Sequence, residues 1–344
     1  MPSLTERENL LMVYNGQIPE WVPITEYAAQ TVFAPSYFGE WNRYEGKKAG
    51  DIIYDRFGVM HTVSDPRVGS MPVDGVYKIT DITKWRDQFP TKDWPDLTKI
   101  DWKHYAEKDT AIWDRENKLC TNSFGGNSSG NTFMWGVTLM GFEKALENML
   151  TEPEAWDDLL NELTTWLELQ IKYISDYYQP DCISISDDCA FNKGLFMSPA
   201  LYRARVKPFH ARLVKAIKDY GHIPTIHCCG KADAIVGDFI EIGLRQWNPA
   251  QVWNDIEGIK ARYGNKIVLN GCWDSNGPAG VAGASEEVVR AAVRRAIDRG
   301  GPGGGYMFST SGMTLAWDVG TEHFNWIYDE AVKYGAEYYK VIGG

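Results

Sequence analysis

The chain has 344 residues and a formal net charge of −11, and 44% of its residues are hydrophobic. This length accommodates one large domain or two ordinary ones with a substantial core. The acidic charge and the absence of a Lys/Arg-rich run disfavour nucleic acid as a partner. No apolar run reaches the length of a membrane span, and the first residues lack a basic-then-apolar signal. We therefore expect a cytoplasmic protein without membrane contact.

The cysteines of the chain are expected to be reduced thiols. A chain of this size without an export signal rarely relies on a disulfide framework. Each thiol is therefore available either as a packing residue or as a metal ligand. The positions are Cys120, Cys182, Cys189, Cys228, Cys229 and Cys272.

The first third of the sequence predicts a helix, one strand and a long insertion. Residues 5–13 have an acidic first turn followed by apolar positions, and Asn15 and Gly16 provide a stop. Residues 21–27 are typical of a strand that carries Glu26 near its C-terminal end. From there to about residue 118 the pattern is irregular and rich in Pro, Gly, Asp and Trp, which indicates an elaborated insertion or lid.

From residue 119 onwards, predicted strands alternate with predicted helices. This order implies parallel strands joined by right-handed crossovers. With about eight candidate strands and polar residues at nearly every strand end, a closed (β/α)8 TIM barrel is favoured over an open sheet. We expect one domain over 1–344, with the helix, first strand and insertion in 1–118 and the main βα repeats in 119–344. The later strands are predicted at 119–126, 181–186, 225–230, 243–248, 266–272 and 305–309.

A parallel barrel would bring the polar strand ends together at one mouth, although they are far apart in sequence. Two adjacent acids, Asp187 and Asp188, follow the end of an apolar strand. Burial of two carboxylates at this position costs free energy unless they bind a ligand or face water. The alternative is that one acid caps loop amides while the other is solvated. The residues predicted to converge are Glu26, Asn122, Asp187, Asp188, His227, Cys229, Asn248, Cys272, Asp274 and Ser309.

The stretch 225–230 predicts part of a metal site. In an extended segment His227 and Cys229 point to the same side, and imidazole and thiolate are ligand types that zinc prefers. Gly230 allows the chain to turn sharply after the pair. The alternative is a reduced, half-buried strand end with a satisfied histidine.

Tryptophan is frequent, with 14 residues, and several lie near predicted mouth loops. Such indoles line either a core or a pocket for an aromatic ring or a large cofactor. Trp247, Trp273 and Trp317 are the strongest candidates for cofactor contact, and packing is the alternative for each.

A set of segments occurs along the chain in a characteristic order: the Glu6-Arg7 helix leading to Val22-Pro23, Asp55-Arg56-Phe57-Gly58, Ser186-Asp187-Asp188, Ser198-Pro199, His227-Cys228-Cys229-Gly230, Asn270-Gly271-Cys272-Trp273-Asp274 and Gly304-Gly305-Tyr306-Met307-Phe308-Ser309. In order and spacing these segments resemble the uroporphyrinogen decarboxylase superfamily, in particular its methyltransferase branch. The resemblance implies a (β/α)8 barrel, often paired as a homodimer, with the site at the strand C-termini.

The resemblance implies that His227 and Cys229 bind zinc together with a cysteine just after the last strand. Residues 309–314 contain neither cysteine nor histidine, so we predict that Cys272 supplies the missing thiolate. A carboxylate from Glu26, Asp187 or Asp188 would fill a fourth place. Asp187, Asp188, Glu26 and Asp274 are the predicted catalytic acids.

The sequence hypothesis is a corrinoid-linked methyltransferase. It would use zinc and move a methyl group between a small substrate or acceptor, including an aromatic methoxylated one, and a partner protein that carries cobalamin. One alternative is a decarboxylase or other carboxy-lyase of the same fold, with Asp187 or Asp188 positioning a substrate nitrogen or proton. Residues 25–30 lack the arginines that a polycarboxylate porphyrinogen requires, which disfavours that alternative. Another alternative is a non-catalytic barrel that binds corrinoid or tetrapyrrole.

Overall fold

The computed structural model describes residues 4–33, 35–38, 46–65, 69–123, 131–310 and 319–342. None of the helices in these ranges combines the length and the apolar character that crossing a lipid bilayer requires. The strands are β1 (Ala29–Phe33), β2 (Ile52–Tyr54), β3 (Met60–Asp65), β4 (Gly69–Pro72), β5 (Leu119–Ser123), β6 (Cys182–Ser186), β7 (Ala190–Phe191), β8 (Gly194–Leu195), β9 (Ile223–His227), β10 (Gln246–Ala250), β11 (Val268–Cys272) and β12 (Tyr306–Ser309).

The α-helices surround a parallel sheet and connect its strands. Prolines at the first helical positions of several of these helices suit their N-terminal turns, where the backbone N–H needs no partner. The helices are Glu6–Tyr14, Thr25–Ala28, Trp85–Gln88, Trp102–Asp109, Phe133–Met140, Phe142–Thr151, Pro153–Tyr177, Pro199–Arg205, Lys207–Asp219, Val236–Ile242, Ile256–Tyr263, Glu286–Gly300 and Thr321–Ile342.

The central feature is a curled, mixed α/β arrangement around one parallel sheet. Within the described ranges seven strands form this sheet, in the order β1-β5-β6-β9-β10-β11-β12. Every neighbouring pair is parallel, and the order follows the sequence, as repeated strand–helix–strand units require. The predicted parallel strands are therefore confirmed. An eighth strand is not among those described in this sheet, so the closed barrel remains a prediction.

The two edges of the sheet approach each other through the segment that precedes β1. Ile24 forms a parallel bridge with Phe308 on β12, and the Phe308 amide donates to the Pro23 carbonyl at 2.8 Å. The predicted strand over 21–27 is wrong: only Ile24 forms a bridge, residues Thr25–Ala28 form one helical turn, and the first strand begins at Ala29. Thr25 Oγ1 donates to the Phe308 carbonyl at 3.1 Å, which holds the segment on β12 while the turn carries the chain to β1.

The opening helix is confirmed and closes one end of the sheet. Thr5 and Glu8 form a reciprocal capping box, which satisfies backbone donors at the helix start. Leu10 and Val13 are fully buried against the first residues of β5 and β11, Leu119 and Val268. The N-terminal end of the parallel sheet is therefore filled with apolar side chains.

The insertion between β1 and β5 is more ordered than its sequence indicates. Strands β2, β3 and β4 form an antiparallel sheet in which Ile53 and Val63 are buried. The Phe57 ring lies 4.6 Å from the Trp135 ring, so the insertion packs against the helix Phe133–Met140. Tertiary packing of aromatic rings, which leaves no sequence periodicity, explains why the segment appeared irregular.

Candidate metal centre

Two neighbouring strands position the centre of the candidate site. Strand β6 pairs with β9 in a register that sets Ser186 opposite His227, and the Asp187 amide donates to the His227 carbonyl at 2.9 Å. The residues that follow each strand therefore lie side by side at the C-terminal edge of the sheet. Asp188 comes from β6, and His227 and Cys229 come from β9 and the turn after it.

Asp188, His227 and Cys229 form a compact group of possible ligands. Their ligand atoms all lie within 4.8 Å of one another. Cys229 Sγ is 3.3 Å from His227 Nε2, and Asp188 Oδ1 is 3.9 Å from the same nitrogen. Ligands at tetrahedral zinc, with the usual bond lengths, are roughly 3.5 Å apart. The three side chains thus fit a zinc ion without rearrangement of the backbone.

Neighbouring groups hold two of these three side chains, those of His227 and Asp188, in place. His227 Nδ1 lies 3.0 Å from Asn248 Oδ1 and donates to it, so Nε2 is the nitrogen that faces Cys229. The Cys229 amide donates to Asp188 Oδ1 at 2.6 Å, which fixes the carboxylate. This pattern, a histidine oriented by a second polar group, is typical of metal-binding histidines.

Gly230 is required by the close approach of two loops. Its φ is +97°, and a Cβ at this position would lie 2.5 Å from the Ala190 carbonyl carbon. Any other residue would push apart the loop after β6 and the turn after β9. The predicted role of Gly230 in a sharp turn is confirmed.

The centre is surrounded by protein and still open to solvent. The His227 side chain is 29% exposed and the Asp188 side chain 39% exposed. Burial lowers the pKa of His227, but the Cys229 sulfur, the Asp188 carboxylate and the Asn248 amide outweigh it and raise the pKa to about 10. The negative potential that attracts a proton to this imidazole also attracts a metal cation.

The two adjacent acids have different roles. Asp187 is fully buried and accepts hydrogen bonds from Thr132 Oγ1, from the Phe133 and Met134 amides at 2.9 and 2.8 Å, and from His210 Nε2 at 2.8 Å. Burial alone would raise the pKa of Asp187, but the His210 contact and the other donors lower it. Asp187 is therefore a structural anchor, and Asp188 is the acid that faces the site.

A second group of potential ligands, Asp187, Cys189 and His210, also lies within 4.8 Å, but it does not fit a metal ion. The Asp187 oxygens already accept from several donors, and His210 Nδ1 lies 3.1 Å from the Tyr202 hydroxyl. All three side chains are inaccessible to solvent. The burial of the group and the hydrogen bonds of Asp187 and His210 therefore argue against a metal ion here.

The structure does not bring Cys272 together with His227 and Cys229. Its backbone has a φ of +62°, which redirects the side chain, and the thiol belongs to the core between the sheet and the outer helices. Burial raises the pKa of Cys272 to about 12, although Arg299 and Lys260 of the outer layer oppose this shift. Asp188, which we predicted only for a fourth place, lies next to His227 and Cys229 instead.

Glu26 and Asp274 lie apart from the ligand group. Glu26 accepts a hydrogen bond from Ser309 Oγ at 3.4 Å, and burial raises its pKa although Tyr328 and Ser309 lower it. Asp274 Oδ1 accepts from the Asn276 amide at 3.2 Å and stabilises a turn. Their predicted catalytic roles therefore receive no support from contact with the ligand group.

Two of the three predicted cofactor contacts are core residues. The Trp247 indole is fully buried and donates to the Cys228 carbonyl at 2.9 Å. Trp273 is 2% exposed, and its ring lies 6.2 Å from Phe308. Neither indole face is open to a cofactor, because both rings are buried in the hydrophobic core. Trp317 lies outside the described residues.

Comparison with known proteins identifies the family. The family model for uroporphyrinogen decarboxylase (URO-D) matches residues 128–334, which is more than half of the chain. The chain belongs to the uroporphyrinogen decarboxylase family. Both strands that carry the ligand group, β6 and β9, lie within the matched part of this URO-D chain. The resemblance found in the sequence motifs is confirmed.

The fold of this URO-D family member is similar to that of a solved methyltransferase from Methanosarcina mazei. The TM-score is 0.64 at 13% sequence identity, and the alignment covers 96% of this chain and 99% of that chain. At this level of identity the likeness establishes a shared fold. The sequence matches no curated protein.

Proposed function

We propose that this protein is a zinc-dependent, corrinoid-linked methyltransferase. The observation that carries the proposal is the group of Asp188, His227 and Cys229, open to solvent, with His227 Nδ1 held by Asn248. Three protein ligands with a free position are typical of catalytic rather than structural zinc sites. The fold shared with a methyltransferase supports the same reading.

Each residue of the centre has a defined task in this proposal. Asp188, His227 and Cys229 would hold the metal, and a bound zinc ion would supply Lewis-acid activation of the methylated heteroatom. Asn248 keeps His227 in the tautomer that presents Nε2. A cobalamin-carrying partner protein would be the second reactant in the methyl exchange and would approach the C-terminal edge of the sheet, where the ligand group lies.

The direct test is methyl transfer to free cobalamin. Zinc-loaded protein, incubated with cob(I)alamin and a panel of methyl ethers, methylamines and methyl thioethers, should form methylcobalamin with at least one class. Metal-free protein should show a rate at least about 100-fold lower, because the heteroatom then leaves without charge stabilisation. Equal rates with and without metal would contradict the zinc-dependent mechanism.

Replacing Asn248 with leucine should weaken zinc binding while leaving the fold intact. Loss of a partner that orients a metal-binding histidine typically costs 10–100-fold in affinity, and we expect a reduction of roughly that size. Competition with a chromogenic chelator measures the affinity, and Asn248→Asp, which keeps an oxygen acceptor for Nδ1–H, should restore it. An unchanged affinity in Asn248→Leu would show that Nδ1 does not need this partner.

A further inference from the structure

The parallel sheet fixes His227 but not the two residues of the turn that follows. Strand β9 pairs with β10 as far as His227, which lies opposite Asn248. The described main-chain bonds between these two segments end with the one from the Cys228 amide to the Asn248 carbonyl, at 2.8 Å. Cys229 and Gly230 therefore lie beyond the paired part of β9, and other contacts must hold them.

The loop that follows β10 supplies these contacts through two amide side chains. Gln251 Oε1 accepts a hydrogen bond from the Gly230 amide at 2.6 Å. Asn254 Nδ2 donates to the Gly230 carbonyl at 3.0 Å. The residue directly after Cys229 is thus bound at both its N–H and its C=O by side chains of one loop.

Asn254 joins this loop to the turn after β9. Its side chain is almost completely buried; Nδ2 also donates to the Gln251 carbonyl at 2.9 Å, and Oδ1 accepts from the Asp233 amide at 3.0 Å. Lys231 Nζ adds an ion pair with Asp233 and a hydrogen bond to the Trp253 carbonyl, both at 2.9 Å. A displacement of either segment would break several of these bonds.

The loop after β6 closes the opposite side of the turn. A Cβ at Gly230 would lie 2.5 Å from the Ala190 carbonyl carbon, so the two backbones are already in close contact. The Lys231 amide donates to the Phe191 carbonyl at 2.7 Å. Because the turn has no room to shift towards β6, the loop after β10 determines where it lies.

The same contacts keep the Cys229 sulfur available to a metal ion. A backbone N–H next to a cysteine can donate to its sulfur, and such a bond competes with a metal ion for a lone pair. Here the Cys229 amide donates to Asp188 Oδ1 and the Gly230 amide to Gln251 Oε1, each at 2.6 Å. Both neighbouring N–H groups have an oxygen acceptor, and the sulfur lies 3.3 Å from His227 Nε2.

We infer that Gln251 and Asn254 are positioning residues, which act through the Gly230 peptide and set the place of the Cys229 thiolate at the metal centre. The inference rests on the metal-binding part of the proposed function and is independent of the methyl donor. Gln251 is the better probe, because it is only half-buried. Asn254 makes its hydrogen bonds inside the protein, so its replacement would endanger the fold.

Substitution with cobalt(II) tests the inference, because a thiolate ligand gives bound cobalt(II) a charge-transfer band that oxygen and nitrogen ligands do not give. Gln251→Met keeps the length of the side chain and removes the acceptor of the Gly230 N–H. We expect the affinity for cobalt(II) and zinc to fall by about tenfold, and the band per bound cobalt ion to weaken. Gln251→Glu retains an oxygen at the same place and should restore both.

Gln88→Met is the matched control. Gln88 Oε1 also accepts from a backbone amide, that of Thr80 at 2.8 Å, but in the insertion between β1 and β5. This variant should keep the wild-type affinity and band, and urea unfolding compares the stability of all variants.

The possible failures are distinguishable. Unchanged affinity and band in Gln251→Met, an equal loss in Gln88→Met, or a loss that Gln251→Glu does not restore would overturn the inference and leave the metal centre in place. Wild-type protein that binds no cobalt(II), or binds it without the thiolate band, would overturn both the inference and the zinc part of the proposed function. If the expected changes occur but no methyl transfer is found, only the proposed reaction is contradicted.

Discussion

Replacement of Cys229 with alanine will reduce bound zinc from about one ion per chain to nearly none. The thiolate is the softest ligand of the group and lies 3.3 Å from His227 Nε2, so its loss leaves only an imidazole and one carboxylate. We expect the affinity to fall by more than the roughly 10–100-fold that loss of an outer partner costs. Elemental analysis of the purified proteins, with a chelator competition, measures the effect.

Cys272→Ser is the matched control for this experiment. It removes a second thiol that the sequence alone proposed as a ligand, but this thiol lies in the outer core near Arg299 and Lys260. We expect Cys272→Ser to keep the full zinc content. Loss of zinc in this variant, together with retention in Cys229→Ala, would reverse our assignment of the ligands.

Asp187→Asn and Asp188→Asn should separate stability from metal binding. Asp187→Asn replaces one buried carboxylate oxygen, which accepts hydrogen bonds, with an NH2 group, which can only donate. We expect this change to lower the free energy of unfolding by about 3–5 kcal/mol. The wild-type Asp188 side chain is 39% exposed, so Asp188→Asn should lower the free energy of unfolding by less than about 1 kcal/mol. Urea unfolding measures the first effect, and zinc analysis should show loss of metal in Asp188→Asn.

The pH dependence of unfolding gives an independent check on Asp187. Because the folded-state pKa of Asp187 is lowered, its ionised form stabilises the protein above the unfolded-state pKa of about 4, and this contribution disappears as the pH falls through the folded-state value. The Asp187→Asn variant should lack this component of acid destabilisation. If the free energy of unfolding depended on pH in the same way in wild type and variant, Asp187 would not contribute to the acid destabilisation.

The lyase alternative makes a different prediction for the same variants. A metal-independent decarboxylase would retain activity when His227 or Cys229 is replaced. The family membership shown here accommodates that chemistry. However, residues 25–30 lack the arginines that a substrate with many carboxylates would need. The Asp188–His227–Cys229 group, which could hold a metal ion, is the observation that supports the proposed methyl transfer over this alternative.

The regular elements of the fold were predictable because their signals are local. Capping residues mark helix starts at Thr5, Ser198 and Ser285, and each cap is present in the structure. The alternation of strand and helix from residue 119 onwards gave the parallel sheet and its strand order. The insertion was not predictable, because its order depends on contacts such as Phe57 with Trp135, which are far apart in sequence.

The ligand pair itself was also a local prediction. His227 and Cys229 lie two residues apart in an extended segment, so their common direction follows from the backbone period alone. The orienting role of Asn248 was not foreseen, although its place at a strand end was noted. Its side chain meets His227 only because β9 and β10 pair with Asn248 opposite His227.

The sequence by itself determined the family, the parallel strands and the His227–Cys229 pair. Only the tertiary structure showed that Asp188, and not Cys272, lies next to this pair, and that Asp187 and Asp188 have different surroundings. The alternation of side chains along a strand predicts the direction of each side chain only while the backbone stays extended. At Gly271 and Cys272 the φ values are positive, so the predicted direction of the Cys272 side chain does not hold. Asp188 reaches His227 instead, because the pairing of β6 with β9 brings two distant strand ends to the same edge of the sheet.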